Sequence, residues 1–559
     1  MKKIKDKVIS LIPIALILIF LYISTSQISS YFQRSAIQEN LMWITPIFFG
    51  LTLILIFVSF GFGFKVFKKL FKIDKKIWLV LFLIFIVGFS LRAFVAPQTH
   101  RLYYDEDIYM NIAQNIKNEG RAILCNYGTT EKCVEGIYNK QPNGYPFLIS
   151  IMFFFTGVNE ILASYFTIFL SSLTIIFIFL ICYLLFKDEK IGLFSALVFS
   201  LIPINITWAP TTSAGSVFVL FSSITIFGFL SYLKTEKTPL LIFSFSSLAY
   251  TIQIRPEGTL LIAVVGLLFI IKDKKIFSRI NNKKFLSILI IFSVLTMPYL
   301  IHLDSVKGES WGSTGNKIST EYIGKNLKDN GGFFFENTRF PIIFTLLSIL
   351  GLYPFKKYWK EKVFFGLWFL SFFALYLMFY AGSFNYGVDV RFSLNLYIPI
   401  SIFCALGCVL ISKKLNKFIK REKISLLIPT LIVLLSFSQF YPVVSTIGQK
   451  AWDARVAHDF IVEKTNELPK DCWIFTHVPS VVLVNGRNSL QAWYAQNPKI
   501  TNELFSESDC VMFYEEYWCS SDPWKSGPCK YFHDNFVLEP YGSASEGSKN
   551  FTLYYMERK

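Results

Sequence analysis

The chain of 559 residues is 53% hydrophobic and only 17% charged, with a mean hydropathy of +0.47. A soluble protein normally carries about 25% charged residues, so this composition excludes an ordinary soluble protein. The net charge of +17 does not by itself indicate a nucleic-acid partner, because the basic residues concentrate in short segments between apolar blocks.

Apolar blocks of membrane-spanning length recur along the chain. A helix needs about 20 apolar residues to cross the hydrocarbon core. Blocks of roughly this length lie at 8–24, 42–64, 77–96, 160–186, 191–209, 214–233, 238–254, 257–272, 285–303, 340–355, 362–381, 392–412 and 424–444. The shorter apolar stretch 145–157 is interpreted as lying at the membrane interface. We therefore predict an α-helical polytopic membrane protein with about 13 transmembrane helices.

The distribution of charge predicts the orientation. With the N-terminus in the cytoplasm, the predicted cytoplasmic segments carry 30 Lys and Arg against 8 Asp and Glu, and the rest of the chain nets −5. Enrichment of Lys and Arg in short cytoplasmic segments is the positive-inside rule. The basic runs 65–76 and 413–423 are therefore interpreted as topology signals, with no nucleic-acid partner. We predict a plasma-membrane protein whose C-terminal segment is extracytoplasmic.

The chain is predicted to divide into three parts. Residues 1–76 form an N-terminal transmembrane hairpin with a basic cytoplasmic loop, and 77–445 form a transmembrane core with an external loop at 97–159. In 446–559, short alternating apolar runs are typical of strands, and the pattern at 452–467 is typical of a helix. This last part is predicted to be a small extracytoplasmic α/β domain.

Six of the nine cysteines fall in predicted external segments, where even numbers favour disulfides. Cys125 and Cys133 are predicted to pair within the external loop. The other four, Cys472, Cys510, Cys519 and Cys529, allow three pairings. A zinc site is the alternative for these four, but it is disfavoured because the tail has no CxxC pair.

The external loop contains three consecutive acids, Asp105, Glu106 and Asp107, beside Tyr104 and Tyr109. They open a segment with helical apolar spacing, which predicts an amphipathic helix on the membrane surface. On one interpretation, the acids cap this helix and stabilise its positive N-terminal end. On the other, a carboxylate takes a proton from an acceptor hydroxyl or stabilises a developing sugar cation. The local residues do not choose between these interpretations.

Four motifs, in order and all on the predicted outer face, resemble the GT-C superfamily of membrane glycosyltransferases. They are Tyr104-Asp-Glu-Asp-x-Tyr, Lys140-Gln-Pro-Asn-Gly-Tyr-Pro, Arg255-Pro-Glu-Gly and Arg391-Phe-x-Leu-x-Leu-Tyr-x-Pro. The similarity is to the dolichyl-phosphate-mannose protein mannosyltransferase-like group and the lipid A aminoarabinose transferases. It implies a GT-C fold and transfer of a sugar from a polyprenyl-phosphate donor, such as a dolichyl phosphate, to a protein, lipid or glycan acceptor.

The resemblance also implies roles for single residues. Asp105 is the expected catalytic base, with Glu106 or Asp107 orienting the acceptor or tuning the pKa of Asp105. The donor phosphate needs cations at the membrane surface, and Lys140, Arg255 and Arg391 are the candidates. Arginine presents a fork that matches phosphate oxygens, whereas a basic residue at a span end is by default a membrane anchor. Lys140 departs from the family pattern, because Gln-Pro follows it where Pro-Pro is usual. Further candidates for substrate contact are Tyr104, Tyr109, Glu257, Tyr386 and Asp389.

Three other functions are alternatives to this one. An oligosaccharyltransferase catalytic subunit would carry a WWDYG motif, which the nearest string, Asp522-Pro-Trp, does not match. A transporter of lipid-linked sugars would show two similar halves and mid-span charges, and neither is seen. A catalytically inactive, receptor-like relative is disfavoured by the intact acidic motif.

Loop 304–339 is interpreted either as ordering over the site or as a connector. We expect membrane lipids as partners and no metal or other cofactor, although the three acids offer oxygen ligands.

Overall fold

The computed structural model describes residues 2–96, 105–272, 282–306, 316–353, 356–384, 387–442, 444–445, 455–520, 522–547 and 549–559. Of these, residues 2–15, 18 and 387–389 are described by their backbone alone.

Helices dominate the described residues up to 438. In chain order they are α1 (Lys2–Tyr31), α2 (Arg34–Leu70), α3 (Lys75–Ser90), α4 (Asp105–Glu119), α5 (Gly144–Thr156), α6 (Glu160–Phe186), α7 (Glu189–Leu201), α8 (Pro203–Thr207), α9 (Ala214–Thr235), α10 (Thr238–Ile254) and α11 (Leu260–Lys272). They continue with α12 (Lys283–Ser305), α13 (Ile323–Phe333), α14 (Ile342–Leu352), α15 (Trp359–Met378), α16 (Tyr397–Ile419) and α17 (Glu422–Ser438). Every predicted apolar block contains a helix, which confirms the α-helical polytopic fold class.

Seven helical stretches in the described part of the chain are long and apolar enough to cross a membrane. Within the protein, 89% of the apolar window of α9 is buried, as is 89% of that of Val390–Ile419, against 22% for Lys75–Val95. An apolar helix enclosed by protein belongs to the core of a bundle, whereas an exposed one faces lipid. Helices α9 and α16 therefore lie at the centre and α3 at the edge. The number of spans stays a prediction.

Polar side chains end one helix and begin the next with few connecting residues. Lys187 adopts a left-handed conformation with φ 53° and ends α6. The side chain of Asp188 then accepts a hydrogen bond from the backbone N–H of Lys190 and starts α7. Asn159 caps the start of α6 in the same way by accepting from Leu162. These caps satisfy amide groups that a helix leaves unpaired at its N-terminus, so α6 and α7 form a tight antiparallel pair.

A seven-stranded sheet lies beside the helical bundle, in the order β2-β1-β4-β3-β5-β7-β6. The strands are β1 (Leu124–Gly128), β2 (Cys133–Ile137), β3 (Trp473–Thr476), β4 (Asn488–Gln491), β5 (Val511–Glu515), β6 (Phe536–Glu546) and β7 (Lys549–Arg558). The three central strands, β4, β3 and β5, are parallel, and the remaining pairs are antiparallel. The helices of this part include α18 (Val456–Asn466), α19 (Pro479–Val484), α20 (Pro498–Glu507) and α21 (Lys530–Asn535).

The sheet joins two distant parts of the sequence. Strand β1 of the external loop pairs with β4 through Tyr127 opposite Leu490 and Gly128 opposite Ser489. The predicted α/β domain at 446–559 is thus completed by a hairpin from loop 97–159. The sequence did not reveal this pairing, because no local pattern connects a five-residue strand to a partner so far along the chain.

Helix α4, predicted to be amphipathic, is enclosed by protein, and its position relative to the membrane stays a prediction. Ten of its residues are buried inside the protein. Helix α19 packs against it, and the Gln114 side chain donates a hydrogen bond to the carbonyl of Leu483 at 3.1 Å. The tail therefore covers α4 with protein, which is why its polar residues Asn111, Gln114 and Asn115 are buried and hydrogen-bonded.

Candidate active site

The three acids of the external loop occupy the first turn of α4 but differ in exposure. Glu106 and Asp107 are enclosed, with 1% and 0% of their surface exposed. The Asp105 side chain keeps 22% exposure, and its Oδ2 lies 3.2 Å from Nη1 of Arg391. Of the three carboxylates, Asp105 is therefore the one that is open to solvent.

Arg255 stands at the end of α10, beside the short 3-10 helix Pro256–Thr259. Its guanidinium makes a two-point ion pair with Glu257, with Nη2 to Oε1 at 2.7 Å and Nε to Oε2 at 3.1 Å. The hydroxyl of Tyr376 donates to the same Oε1 at 3.3 Å. Arginine has five N–H groups, and Nη1 of Arg255 makes no hydrogen bond within the described residues. The pair with Glu257 thus fixes the guanidinium and leaves donors for another acceptor.

The two arginines meet at one aromatic ring. The guanidinium carbon of Arg255 lies 5.6 Å from the centroid of Phe392, and that of Arg391 lies 5.5 Å from it. Tyr376 stacks on the same ring at 4.9 Å. The two arginine contacts are both within the range of a cation–π interaction. Phe392 therefore holds together the third and fourth motifs, which are far apart in the sequence.

Tyr109 lies one turn after Asp105 on α4 and connects the charged groups. Burial raises the pKa of its phenol, and the charges of Asp105, Arg255, Arg391 and Glu257 all act on it. The pKa of Asp105 is also raised by burial, against the opposing effects of Arg391 and Arg255. These five residues form one cluster of two acids, two arginines and a tyrosine, which we call the Asp105 cluster.

Gly144, in the motif that begins at Lys140, packs against the end of α10 close to Arg255. A Cβ on Gly144 would lie 2.5 Å from the carbonyl oxygen of Gln253, two residues before Arg255. The Tyr250 hydroxyl also donates to the carbonyl of Gly144 at 2.8 Å. The start of α5 is thus pressed against the end of α10, and only a residue without a side chain fits between them.

Gly144→Ala should lower the midpoint of thermal unfolding of the detergent-solubilised protein, because the added methyl group meets backbone that cannot rotate away. We expect a loss of about 1–3 kcal/mol of stability. Gly266→Ala is the matched control, since nothing lies within 4 Å of its added Cβ in α11. Equal midpoints for the two variants would show that the close approach of α5 to α10 is not needed.

Lys140 is half-buried and lies beside another lysine. Burial and the Lys140 charge lower the pKa of Lys317, a residue of loop 304–339 that the sequence did not single out. The carbonyl of Lys140 lies 3.1 Å from Nε2 of His302. These two lysines therefore form a second group of positive charge, contributed by the second motif and loop 304–339.

Part of loop 304–339 is fixed beside the site. In α13, the Asn326 side chain donates to the carbonyls of Tyr376, Leu377 and Phe379. Asn330 similarly bonds to the segment that follows α15 and leads towards Arg391. No sequence pattern indicated these two asparagines, because their partners are backbone groups.

Three candidates for substrate contact have no described side chain. Tyr104 and Tyr386 lie outside the described residues. Asp389 is in the 3-10 helix Gly387–Leu396, but its side chain is outside the description.

The six external cysteines form three disulfides in the structure. Cys125 pairs with Cys133, Cys472 with Cys510, and Cys519 with Cys529. The remaining three cysteines, Cys182, Cys404 and Cys408, are free and buried in the helical bundle. Among the described residues, no group of three or more His, Cys, Asp or Glu side chains is arranged to hold a metal ion.

Replacing both Cys125 and Cys133 with Ser should destabilise the hairpin that links α4 to the sheet. A loop of this length is worth about 2.5 kcal/mol in the chain-entropy model. We expect faster proteolysis of the segment between α4 and α5. The control is the replacement of both Cys519 and Cys529 with Ser. Their disulfide closes a similar loop away from α4, so this variant should leave the proteolysis rate of that segment unchanged. Equal acceleration of its proteolysis in both double variants would contradict a specific role for the hairpin.

The chain is similar to known proteins in part of its sequence and in its fold. Residues 140–302 match the family model described as dolichyl-phosphate-mannose-protein mannosyltransferase. The structure is similar to ArnT from Cupriavidus metallidurans bound to undecaprenyl phosphate, with a TM-score of 0.56 and 11% identity, covering 86% of this chain and 98% of that chain. It is equally similar to ArnT in the apo state, with a TM-score of 0.56 and 11% identity, covering 85% and 97%. No curated protein is significantly similar in sequence. These matches confirm the resemblance to the GT-C superfamily and the GT-C fold.

Proposed function

We propose that this chain is a membrane glycosyltransferase that moves a sugar from a polyprenyl-phosphate donor to an acceptor on the extracytoplasmic face. The observation that carries the proposal is the Asp105–Arg391 pair at the start of α4, with Arg255 at the same Phe392 ring. It places one accessible carboxylate beside two guanidinium groups. A nucleophilic acceptor and an anionic leaving group need this combination.

The carboxylate of Asp105 acts as the base. It takes the proton from the acceptor as the acceptor atom bonds to the anomeric carbon of the sugar, and the bond from that carbon to the phosphate oxygen breaks. The bonding electrons leave with the polyprenyl phosphate. Burial raises the pKa of Asp105, which brings a carboxylate closer to the working range of a general base.

The arginines bind the phosphate of the donor and stabilise it as it departs. Guanidinium groups match phosphate oxygens with two parallel hydrogen bonds. Glu257 holds Arg255 in place, so little reorganisation is needed when the phosphate arrives. Arg391 contacts both the base and the leaving group in this arrangement, and it therefore sets their separation.

The similar proteins support the donor class. ArnT is described in complex with undecaprenyl phosphate, and the matching family is named for transfer from dolichyl-phosphate mannose. The positive-inside rule supports the orientation, with the N-terminus in the cytoplasm and the sheet outside. On this support we propose that the Asp105 cluster lies at the outer surface of the plasma membrane, where an acceptor protein, lipid or glycan is available.

Mass spectrometry of cells with and without the protein tests the proposal. Cells that lack it should accumulate one glycosylated polyprenyl phosphate and lose one glycosylated product, and the mass difference identifies the sugar. Purified protein should then restore the product from that donor. Identical glycolipid and glycan profiles in both cell types would contradict a transferase function.

A further inference from the structure

The central strands of the external sheet end in aromatic residues. β3 is followed by His477, β4 by Trp493 and β5 by Trp518, each within three residues of the strand end. These strands are parallel and in register, with Phe475 opposite both Leu490 and Phe513. Their carboxyl ends therefore lie at one edge, and the three side chains come from the same edge of the sheet.

This edge is a topological switch point. After β3 the chain passes through α19 to β4 on one side, whereas after β5 it continues to β6 and β7 on the other side. Where consecutive connections leave in opposite directions, a crevice opens outside the carboxyl ends of the strands. Open α/β sheets bind their ligands in this crevice. By this rule, the crevice is expected between the loops that carry His477 and Trp518.

Three indoles and one imidazole meet at the crevice. The His477 ring lies 4.6 Å from Trp518 and 3.8 Å from Trp524, and Trp524 lies 5.1 Å from Trp493. We call these four residues the indole cluster. Trp493 has 38% of its surface exposed, so one indole of the cluster reaches solvent. A continuous aromatic surface that is partly wet is unusual for a purely structural core.

The loop that carries Trp518 and Trp524 is held in place. Cys519 and Cys529 are joined by a disulfide. A Cβ on Gly527 would lie 2.8 Å from the ring of Trp493, so the loop backbone packs directly on that indole. The spacing of the indoles is thus fixed before any ligand arrives, which lowers the entropy lost on binding.

His477 supplies a polar group within this aromatic surface. Its Nδ1 is buried and makes no hydrogen bond within the described residues. Leaving that nitrogen unsatisfied is costly. The ring as a whole is only half-buried, so a ligand hydroxyl approaches the imidazole from its exposed side. Burial lowers the pKa of His477 to about 4, so the imidazole is neutral at physiological pH. A neutral imidazole among indoles favours an uncharged hydroxylated ligand over an anion.

We propose that the indole cluster is a carbohydrate-binding site that takes a pyranose ring of a neutral glycan. One face of a pyranose ring is a row of C–H groups that stacks on an indole, while its rim of hydroxyls reaches the imidazole. The site belongs to the external sheet and is separate from the Asp105 cluster. It does not rest on the proposed transferase activity.

Titration of the purified full-length protein in detergent tests the site. The probes are mannotetraose, maltotetraose and chitotetraose, followed by saturation-transfer NMR and calorimetry. We expect saturable binding of at least one of them, weakened about tenfold by Trp493→Ala. Trp359→Ala is the matched control, because Trp359 is also exposed, at 49%, and starts α15. Trp493→Tyr, which keeps a stacking ring, should bind with intermediate affinity and guards against misfolding of the alanine variant.

Asp105→Asn separates this site from the transferase site, and it should bind the probes as the wild type does. Four outcomes would overturn the proposal. They are no saturable binding of any probe, equal affinities for the Trp493→Ala and Trp359→Ala variants, loss of binding in Asp105→Asn, and saturable binding of a sugar-free peptide alone.

Discussion

Asp105→Asn should reduce sugar transfer by about 10²–10⁴-fold and leave expression, membrane insertion and thermal stability close to those of the wild type. Asparagine keeps the size of the side chain and an oxygen that accepts from Arg391, which lies 3.2 Å away in the structure. An amide cannot take a proton from the acceptor, so only the chemical step is lost. The measurement is the initial rate with saturating donor and acceptor in detergent or proteoliposomes.

The matched control is Glu131→Gln, which neutralises an exposed acid of the same external loop. It should transfer sugar at the wild-type rate. Full activity of Asp105→Asn would remove Asp105 as the base. An equal loss in Glu131→Gln would show that the activity responds to loop charge in general.

The pH dependence follows from the same carboxylate. Burial raises the pKa of Asp105 above its ordinary value, although Arg391 and Arg255 oppose the effect. A base works only when deprotonated, so kcat/KM should fall as the pH decreases through this raised pKa and reach a plateau above it. A rate that rises on acidification would contradict the assignment.

Local sequence patterns predicted the helices well. Each apolar block contains a helix, because crossing a membrane requires a long run of apolar residues that is visible in the sequence itself. The pairing of Arg255 with Glu257 was also foreseeable, since only one residue separates them at the end of one helix. The boundaries proposed at residues 76 and 445 stay predictions.

Contacts between distant segments were not predictable in the same way. The Asp105–Arg391 pair joins residues 286 positions apart, and no spacing rule connects them. The family resemblance implied a role for each of the two residues but no contact between them. Likewise, the burial of α4 depends on a tail that folds over it, and the amphipathic pattern of α4 fits a protein interface as well as a lipid surface. Local patterns fix which face is apolar, and only the fold decides what covers it.

Arg391→Ala should lower kcat/KM by about 10²–10³-fold and raise the apparent KM for the donor, because it removes a cation expected to bind the leaving phosphate. It should also change the pH profile. Arg391 lowers the pKa of Asp105 through its charge and its hydrogen bond. Without it, the acidic limb of the profile should move to higher pH. A residue that merely anchors the chain at the membrane surface would affect neither the donor KM nor this limb.

Two further variants separate the charge of Arg391 from its geometry. Arg391→Lys keeps the positive charge, so the acidic limb of its pH profile should stay near the wild-type position. It loses the planar guanidinium fork, so it should bind the donor more weakly than the wild type does. Arg339→Ala removes an arginine at the end of loop 304–339 that pairs only with Glu336 in the described structure, and it should change neither quantity. If Arg391→Ala leaves both the donor KM and the acidic limb unchanged, Arg391 binds no phosphate and does not act on the base. The Asp105–Arg391 contact would then be an ordinary ion pair that holds α4 to the 3-10 helix Gly387–Leu396.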